Sequence, residues 1–448
     1  MHGSNGTRAE VGVYAKRLTE VLGEEQVTAI ARRSGWLRRV RKVMPLAMVV
    51  AVLSTLGSGH AKWLADILRT FRKFAGLSLR YKPFHNRLAQ ASFPEMFRML
   101  LEATVQKMSQ PVLHAVSPKL STFRDIVIHD GTSFALKDDL KRTWPGRFTK
   151  ISPAAVELHV TMSLLQDDVR IVALTADKET ERTYRPEAAS LRERLFLADR
   201  GYEERKFFFD VDQAGGAFIV RGTKNIRPTI RAAFDSAGKS IPKLLGQKLN
   251  WDLLPAQTVD LDIEWLANSF VYRGRIVAIY KRGKRNAKTF VYLHSNLARK
   301  RFSAADVAGL YRLRWQVELL FKEFKSHANL HAFDTGKAAI AKAMIWASLL
   351  AALLKRSLAH FAEASLGVEL STQRAAASGK HYFDDVLRGL LDSPRQLRRA
   401  LAEALKFLDS NARRSSCSRS KARSSRYGPR ATRTCVVARH PESLSTNL

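Results

Sequence analysis

Three acids and a stripe of cations hold most of the chemistry that this sequence offers. Asp130 closes the apolar run "RDIVIHDG", Asp199 closes "LFLADRGY", and Glu318 lies within "YRLRWQVELLFKEFK", residues 311–325. Short apolar runs bounded by acids and glycine predict buried strands that end on Asp130 and Asp199. In the third stretch the apolar residues recur at helical spacing, which predicts one continuous amphipathic helix. At about 100° per residue, Tyr311, Arg314, Glu318, Lys322 and Lys325 share a stripe roughly 80° wide along the edge of its apolar face. Arg312, Gln316 and Glu323 fall on the opposite side and are expected in solvent.

A carboxylate among cations at the rim of a core has two readings. Glu318 can pair with Arg314 and Lys322 at helix spacing. Alternatively it joins the two aspartates to hold divalent metal, since three hard carboxylate oxygens suit Mg²⁺. Two such ions activate a water or 3′-hydroxyl and stabilise the leaving oxygen in phosphoryl transfer. The neighbouring cations would then position the phosphates of the strand being cut. Metal charge also explains how carboxylates can gather within a basic surface.

Composition narrows the partner. The 448 residues include 75 Lys+Arg against 41 Asp+Glu, a net charge of +34. Each cation near a phosphate releases a condensed counterion, so this excess points to a polyanion, with nucleic acid favoured over a ribosome-like or membrane surface. A hydrophobic content of 46% supports two or three domains with real cores and excludes a disordered chain. The only cysteines, Cys417 and Cys435, exclude a disulfide framework and a cysteine zinc site, and suit a reducing cytoplasm. His129 and His159 lie on predicted strands as packed residues, without a zinc-ligand pattern. The N-terminus has no signal-peptide pattern. The most apolar run, "VMPLAMVVAVLSTLG" from Val43, is shorter than the roughly 20 residues of a membrane span and is expected to be a buried helix.

Residues 1–115 read as a helical N-terminal region, with six cations in "ARRSGWLRRVRK" (Arg32, Arg33, Arg38, Arg39, Arg41, Lys42) that suit either DNA or a solvated face. From 120 to 223 the order is strand, hairpin, helix ("PEAASLRER"), strand, helix, strand. Residues 224–297 are β-rich, with a cationic turn "KRGKRNAK", and 331–410 return to helix. Asp138, Asp139, Asp167, Asp168, Asp177 and Glu179 occupy turn-like contexts expected in solvent. The Ser/Arg-rich segment 411–448 is expected to be a disordered basic tail or the product of an altered reading frame.

"HDGTSF" around Asp130, "LADRGY" around Asp199 and the spacing Y-x2-R-x3-E-x6-K over Tyr311, Arg314, Glu318 and Lys325 resemble the signature of bacterial DDE transposases of the insertion-sequence-4 family. The resemblance implies an α/β ribonuclease H-like core, a mixed sheet with flanking helices over 120–223 and 298–330, interrupted by a mainly-β insertion at 224–297. Helical N-terminal and C-terminal regions complete the expected fold. It implies that Asp130, Asp199 and Glu318 ligate Mg²⁺ or Mn²⁺. Tyr311, Arg314, Lys322, Lys325 and Arg200 would contact DNA near the cleaved phosphate, and Phe290 stands where an aromatic takes an extruded base. The implied activity is cut-and-paste cleavage and strand transfer at insertion-sequence ends. The implied partners are double-stranded DNA of the ends and target and a second copy of the chain, with no membrane, in the cytoplasm at the nucleoid. A metal-dependent nuclease without strand transfer and a non-enzymatic, decayed DNA-binding protein are the alternatives. Truncation at 410 is expected to leave folding and catalysis intact, read from soluble expression.

Overall fold

The computed structural model describes residues 3–39, 43–57, 63–108, 119–165, 169–267, 270–282, 288–327 and 334–414. Arg41, Lys42, Asp167, Asp168, the turn cations at 283–287 and the tail from 415 lie outside these residues.

One strand organises the architecture. β1 (Asp125–Ala135) pairs antiparallel with β2 (Ala155–Ser163), and β2 pairs antiparallel with β3 (Val169–Ala176). On its other side β1 runs parallel to β4 (Arg194–Ala198), which runs parallel to β5 (Ala217–Arg221) after the crossover helix α7 (Arg205–Gln213). The order β3-β2-β1-β4-β5, with β2 alone reversed, is that of a ribonuclease H-like core. β6 (Thr229–Asp235), β7 (Val259–Ala267), β8 (Phe270–Arg282) and β9 (Lys288–Ser295) extend the same sheet, because β9 pairs antiparallel with the edge of β5.

Both faces of the central strands are covered, which is why they read as unbroken apolar runs. Ile126 and Ile128, Leu195 and Leu197, and Ile219 turn into a core shared with the helices. Val127, Phe196, Ala198, Phe218 and Val220 turn the other way, into a core filled by α7 and β6–β9. The helical layer joins α1 (Gly3–Leu22), α2 (Glu24–Arg33), α3 (Pro45–Gly57), α4 (Leu64–Ala75), α5 (Tyr81–Leu88) and α6 (Ser92–Met108) to helices from the other end of the chain. These are α8 (Ala304–Arg312), α9 (Trp315–His327), α10 (Ala338–Leu366), α11 (Thr372–Ala377), α12 (Phe383–Asp392) and α13 (Pro394–Asn411). α10 is long and apolar enough to cross a bilayer, yet 83% of its most apolar window is buried within the protein, mainly against α6 and α3.

Several expectations change. β1 runs five residues past Asp130, so that acid is mid-strand, because Phe134 and Ala135 keep pairing with β2. "PEAASLRER" forms only a short 3-10 turn, Ala188–Leu191. The helix expected over 311–325 is interrupted: the N–H groups of Leu313 and Arg314 bond three residues back to Leu310 and Tyr311, at 3.0 Å each. Such a turn advances about 120° per residue instead of 100°, so a continuous wheel misplaces every residue beyond the break. Glu323, expected in solvent, is 4% exposed; it pairs with Arg356 of α10 at 3.1 Å and accepts from Thr372. Asp177 is likewise buried and accepts the Arg147 N–H at 3.0 Å. Ala412 is buried and Arg413 bridges Leu370, so the fold reaches beyond residue 410.

Two of these contacts can be weighed by unfolding. Glu323→Ala, which strands a buried guanidinium, should lower unfolding free energy by about 3 kcal/mol in urea titration. Truncation after residue 414 should melt like the full chain, whereas truncation after 410 should melt about 1 °C lower, the shift that about 1 kcal/mol for the lost bridge and burial gives in a chain of this length.

Candidate active site

Strand alternation sets which acids can meet. Asp130 continues the face of Ile126 and Ile128, Asp199 directly follows β4 on the side of Leu195 and Leu197, and Arg221 follows Ile219. On that face α9 packs against β1 and α8 against β5. The 3-10 turn between the two helices therefore stands over the sheet where the three strand residues converge.

Arg314 is the centre of the cluster. One Nη donates to Asp130 Oδ2 at 3.0 Å and the other pairs with Glu318. The Tyr311 hydroxyl donates to Asp199 Oδ1 at 3.4 Å, and Arg221 approaches the same oxygen at 3.5 Å. Side-chain exposure rises from 11% at Arg314 to 32% at Asp199, so the cluster opens to solvent on the Asp199 side. Burial pushes the Asp130 carboxyl up to about 7, although Arg314 and the Gly131 N–H favour its charge. Desolvation outweighs both of these favourable partners. Burial also raises the Tyr311 phenol, which stays a hydrogen-bond donor.

The other sequence-selected residues spread around this centre. Lys322 and Lys325 are exposed on α9, Lys322 with its ammonium 4.9 Å from the Trp315 ring. Arg200 is exposed in the turn after β4. Phe290 is 4% exposed, packed edge-on against Trp251 and tilted against Tyr280. It lines a cavity of about 280 Å³ with Arg200, Arg221, Lys224, Trp251 and Tyr292, and Lys224 lies over the Trp251 ring.

Sequence inspection passed over five residues that shape this region. Arg221 is a strand-end cation on the neighbour of β4, and its place in "FIVRGT" beside the Asp199 strand was the available signal. Glu203, in the same turn as Asp199, accepts from Thr223 N at 2.8 Å and lies 3.0 Å from Nε2 of the fully buried His294. This clamp fixes one cavity wall, and Gly222 is needed there because a Cβ would lie 2.8 Å from His294. On the opposite face of the sheet Glu157 packs against Gly131, where a Cβ would sit 2.5 Å from its Oε1. Burial, then the neighbouring Glu181, pushes Glu157 up to about 8.

Asp130, Asp199 and Glu318 offer only hard oxygen donors. By donor chemistry they fit a divalent ion such as Mg²⁺. Among the described residues no three such side chains stand together as ligands, because Arg314 lies between Asp130 and Glu318. Its guanidinium supplies the charge that an ion would supply.

Residues 121–354 match the family model described as "Transposase DDE domain". Over 64 residues the chain is 48% identical to the transposase for insertion sequence element IS421 of Escherichia coli, covering 14% of this chain and 17% of that protein. The chain thus matches 17% of the length of the first curated relatives. It is 21% identical over 455 residues to the transposase for insertion sequence element IS231E of Bacillus thuringiensis subsp. finitimus, covering 91% and 93% of the two chains. A cryo-EM structure of a piggyBac transposase synaptic complex with hairpin DNA superposes with a TM-score of 0.43 at 13% identity, over 89% of this chain and 85% of that one.

The Glu157 shift has a definite sign. The folded state keeps a proton that the unfolded chain releases near 4.5, so the cost of this residue grows between that pH and about 8. Glu157→Gln should therefore melt above wild type at pH 8 and lose its advantage near pH 4.5. Equal melting at the higher pH would mean that Glu157 is ionised in the fold.

Proposed function

This chain belongs to the transposase DDE domain family, and from that membership we propose that it cleaves and joins DNA in the cut-and-paste manner at the ends of an insertion sequence. The observation that carries this reading is the Arg314 bridge: Asp130 and Glu318, far apart in the chain, bond to one guanidinium, with Asp199 held beside it by Tyr311. The family implies a divalent metal cation. In this reading it is Mg²⁺ or Mn²⁺, held by Asp130, Asp199 and Glu318. When bound, the ions activate a water or 3′-hydroxyl and stabilise the leaving oxygen.

The protein's own groups do the positioning. Tyr311 donates to Asp199 and orients that carboxylate. Arg314, Arg200 and Arg221 neutralise phosphate charge close to the acids, and Lys322 and Lys325 extend the cationic surface along α9. The cavity of Trp251 and Phe290 suits an extruded base, since any base can stack on an aromatic face. Trp251 is partly exposed and Phe290 is buried, so Trp251 presents the larger free surface.

The division of labour follows the chain. Residues 120–223 and 298–330 form the catalytic core, with 224–297 as its β-rich insertion. The helical region 1–115 grips DNA with Arg32, Arg33, Arg38 and Arg39, all exposed. The helical region from 331, whose fold continues to Arg413, supports α9, and the Ser/Arg-rich segment after it adds basic charge. The substrates are the element's ends and target DNA, joined by a homodimer at the nucleoid.

The test uses DNA carrying the element's ends, with Mg²⁺ or Mn²⁺. Asp130→Asn, Asp199→Asn and Glu318→Gln should each cut strand cleavage and joining by about a thousandfold or more, while DNA affinity stays within a few-fold of wild type. Cleavage that survives all three changes would end the proposal. Metal-dependent cleavage without joining of a 3′ end would leave a nuclease.

A further inference from the structure

The connection between β1 and β2 carries a feature that the chemistry above does not use. Residues 141–152, "KRTWPGRFTKIS", hold four cations and no acid. They fold back as a narrow hairpin: Pro145 bridges Ala154, Gly146 N donates to Pro153 O at 3.0 Å, and the tip closes through Ile151 N and Ser152 N to Phe148 O at 2.9 and 2.8 Å. The neck is so tight that a Cβ on Gly146 would lie 2.0 Å from the Ser152 carbonyl oxygen. Arg147 anchors the base, its backbone and guanidinium donating to the Asp177 carboxylate and carbonyl.

This rigid tip displays apolar side chains to solvent. Phe148 is 63% exposed and Ile151 is 85% exposed. Lys141, Arg142 and Lys150 around them are exposed and form no ion pair among the described residues. A solvated loop needs neither the apolar pair nor the tether, and phosphates alone cannot satisfy Phe148 and Ile151. An anionic partner that also offers an apolar slot satisfies both. A DNA duplex does so when a side chain enters between base steps from the minor groove, while cations hold the flanking phosphates.

The position suits such a contact. Ala135 lies five residues beyond Asp130 on β1, about 17 Å at the rise of an extended strand. That length equals about five base pairs of duplex at about 3.4 Å each. Lys137 at its foot pairs at 2.8 Å with Asp334, four residues before α10 begins, which ties the base of the prong to the helical layer.

Resting on the proposed DNA chemistry, we infer that this prong inserts Phe148 and Ile151 into duplex DNA and bends it. The experiment uses the full chain, a duplex of about 30 base pairs with dyes at both ends, and the same duplex with a central mismatch, which unstacks at lower cost. Wild type should bring the dyes together on binding and should prefer the mismatched duplex about fivefold or more. Phe148→Ala/Ile151→Ala, which removes only exposed apolar groups, should keep the wild-type melting temperature but lose the bend and the preference. Lys141→Ala/Arg142→Ala/Lys150→Ala should keep the bend in the bound complex but weaken affinity for all sequences, lowering the salt slope by about three.

Unchanged bending in the Phe148/Ile151 variant would overturn the inference. So would unchanged bending accompanied by lost binding to phosphatidylserine vesicles or by lost self-association, which would assign the tip to a membrane or to a second copy. Absence of DNA binding by wild type would overturn the proposed function as well, whereas DNA cleavage with an unaltered bend would overturn the prong alone.

Discussion

Placing several carboxylates on one partly buried patch of a sheet is unfavourable unless a cation joins them. In this protein the requirement is met by Arg314, whose planar fork reaches Asp130 on a strand and Glu318 on a helix together. The approach depends on the sheet, because alternation must turn Asp130, Asp199 and Arg221 to the same face. It also depends on the helices, because the 3-10 turn at 313–314 brings Tyr311 and Arg314 over that face. The buried pair of Glu323 and Arg356 ties the back of α9 to α10, so the helix that presents Glu318 is held from both sides.

The rest of the molecule supports that convergence. Asp260 binds Arg275 through both oxygens, Arg299 joins them, and Arg275 also donates to the Leu297 carbonyl. The chain returning from the inserted strands is thereby fixed just before α8 begins. Buried charges of this kind cost desolvation and add little net stability, but they specify one arrangement out of many.

Much of this was legible in the sequence. The strands of 120–223 showed as apolar runs, and the spacing of Tyr311, Arg314, Glu318 and Lys325 singled out three residues of the cluster, Lys325 lying exposed farther along α9. The places where inspection failed share a cause, which is tertiary context overriding a local pattern. Glu323 sits on what a helical wheel calls the solvent side, but α10 and α11 cover that side. The break at 313–314 has no glycine or proline to announce it. Asp177 looked like a turn acid because nothing local shows that Arg147, thirty residues earlier, folds back onto it. Arg221, Glu203 and Glu157 gain their meaning from strand neighbours that pairing alone defines.

The helical layer is woven from both ends of the chain. α1 packs on α13, Tyr14 of α1 stacks on Phe361 of α10 at 4.3 Å, and the Lys355 ammonium of α10 reaches the Gly57 carbonyl at the end of α3. A growing polypeptide therefore displays part of α3, apolar on every side, long before α10 and α12, which complete its cover, leave the ribosome. Prematurely terminated products would keep that sticky surface exposed, a target for chaperones and proteases.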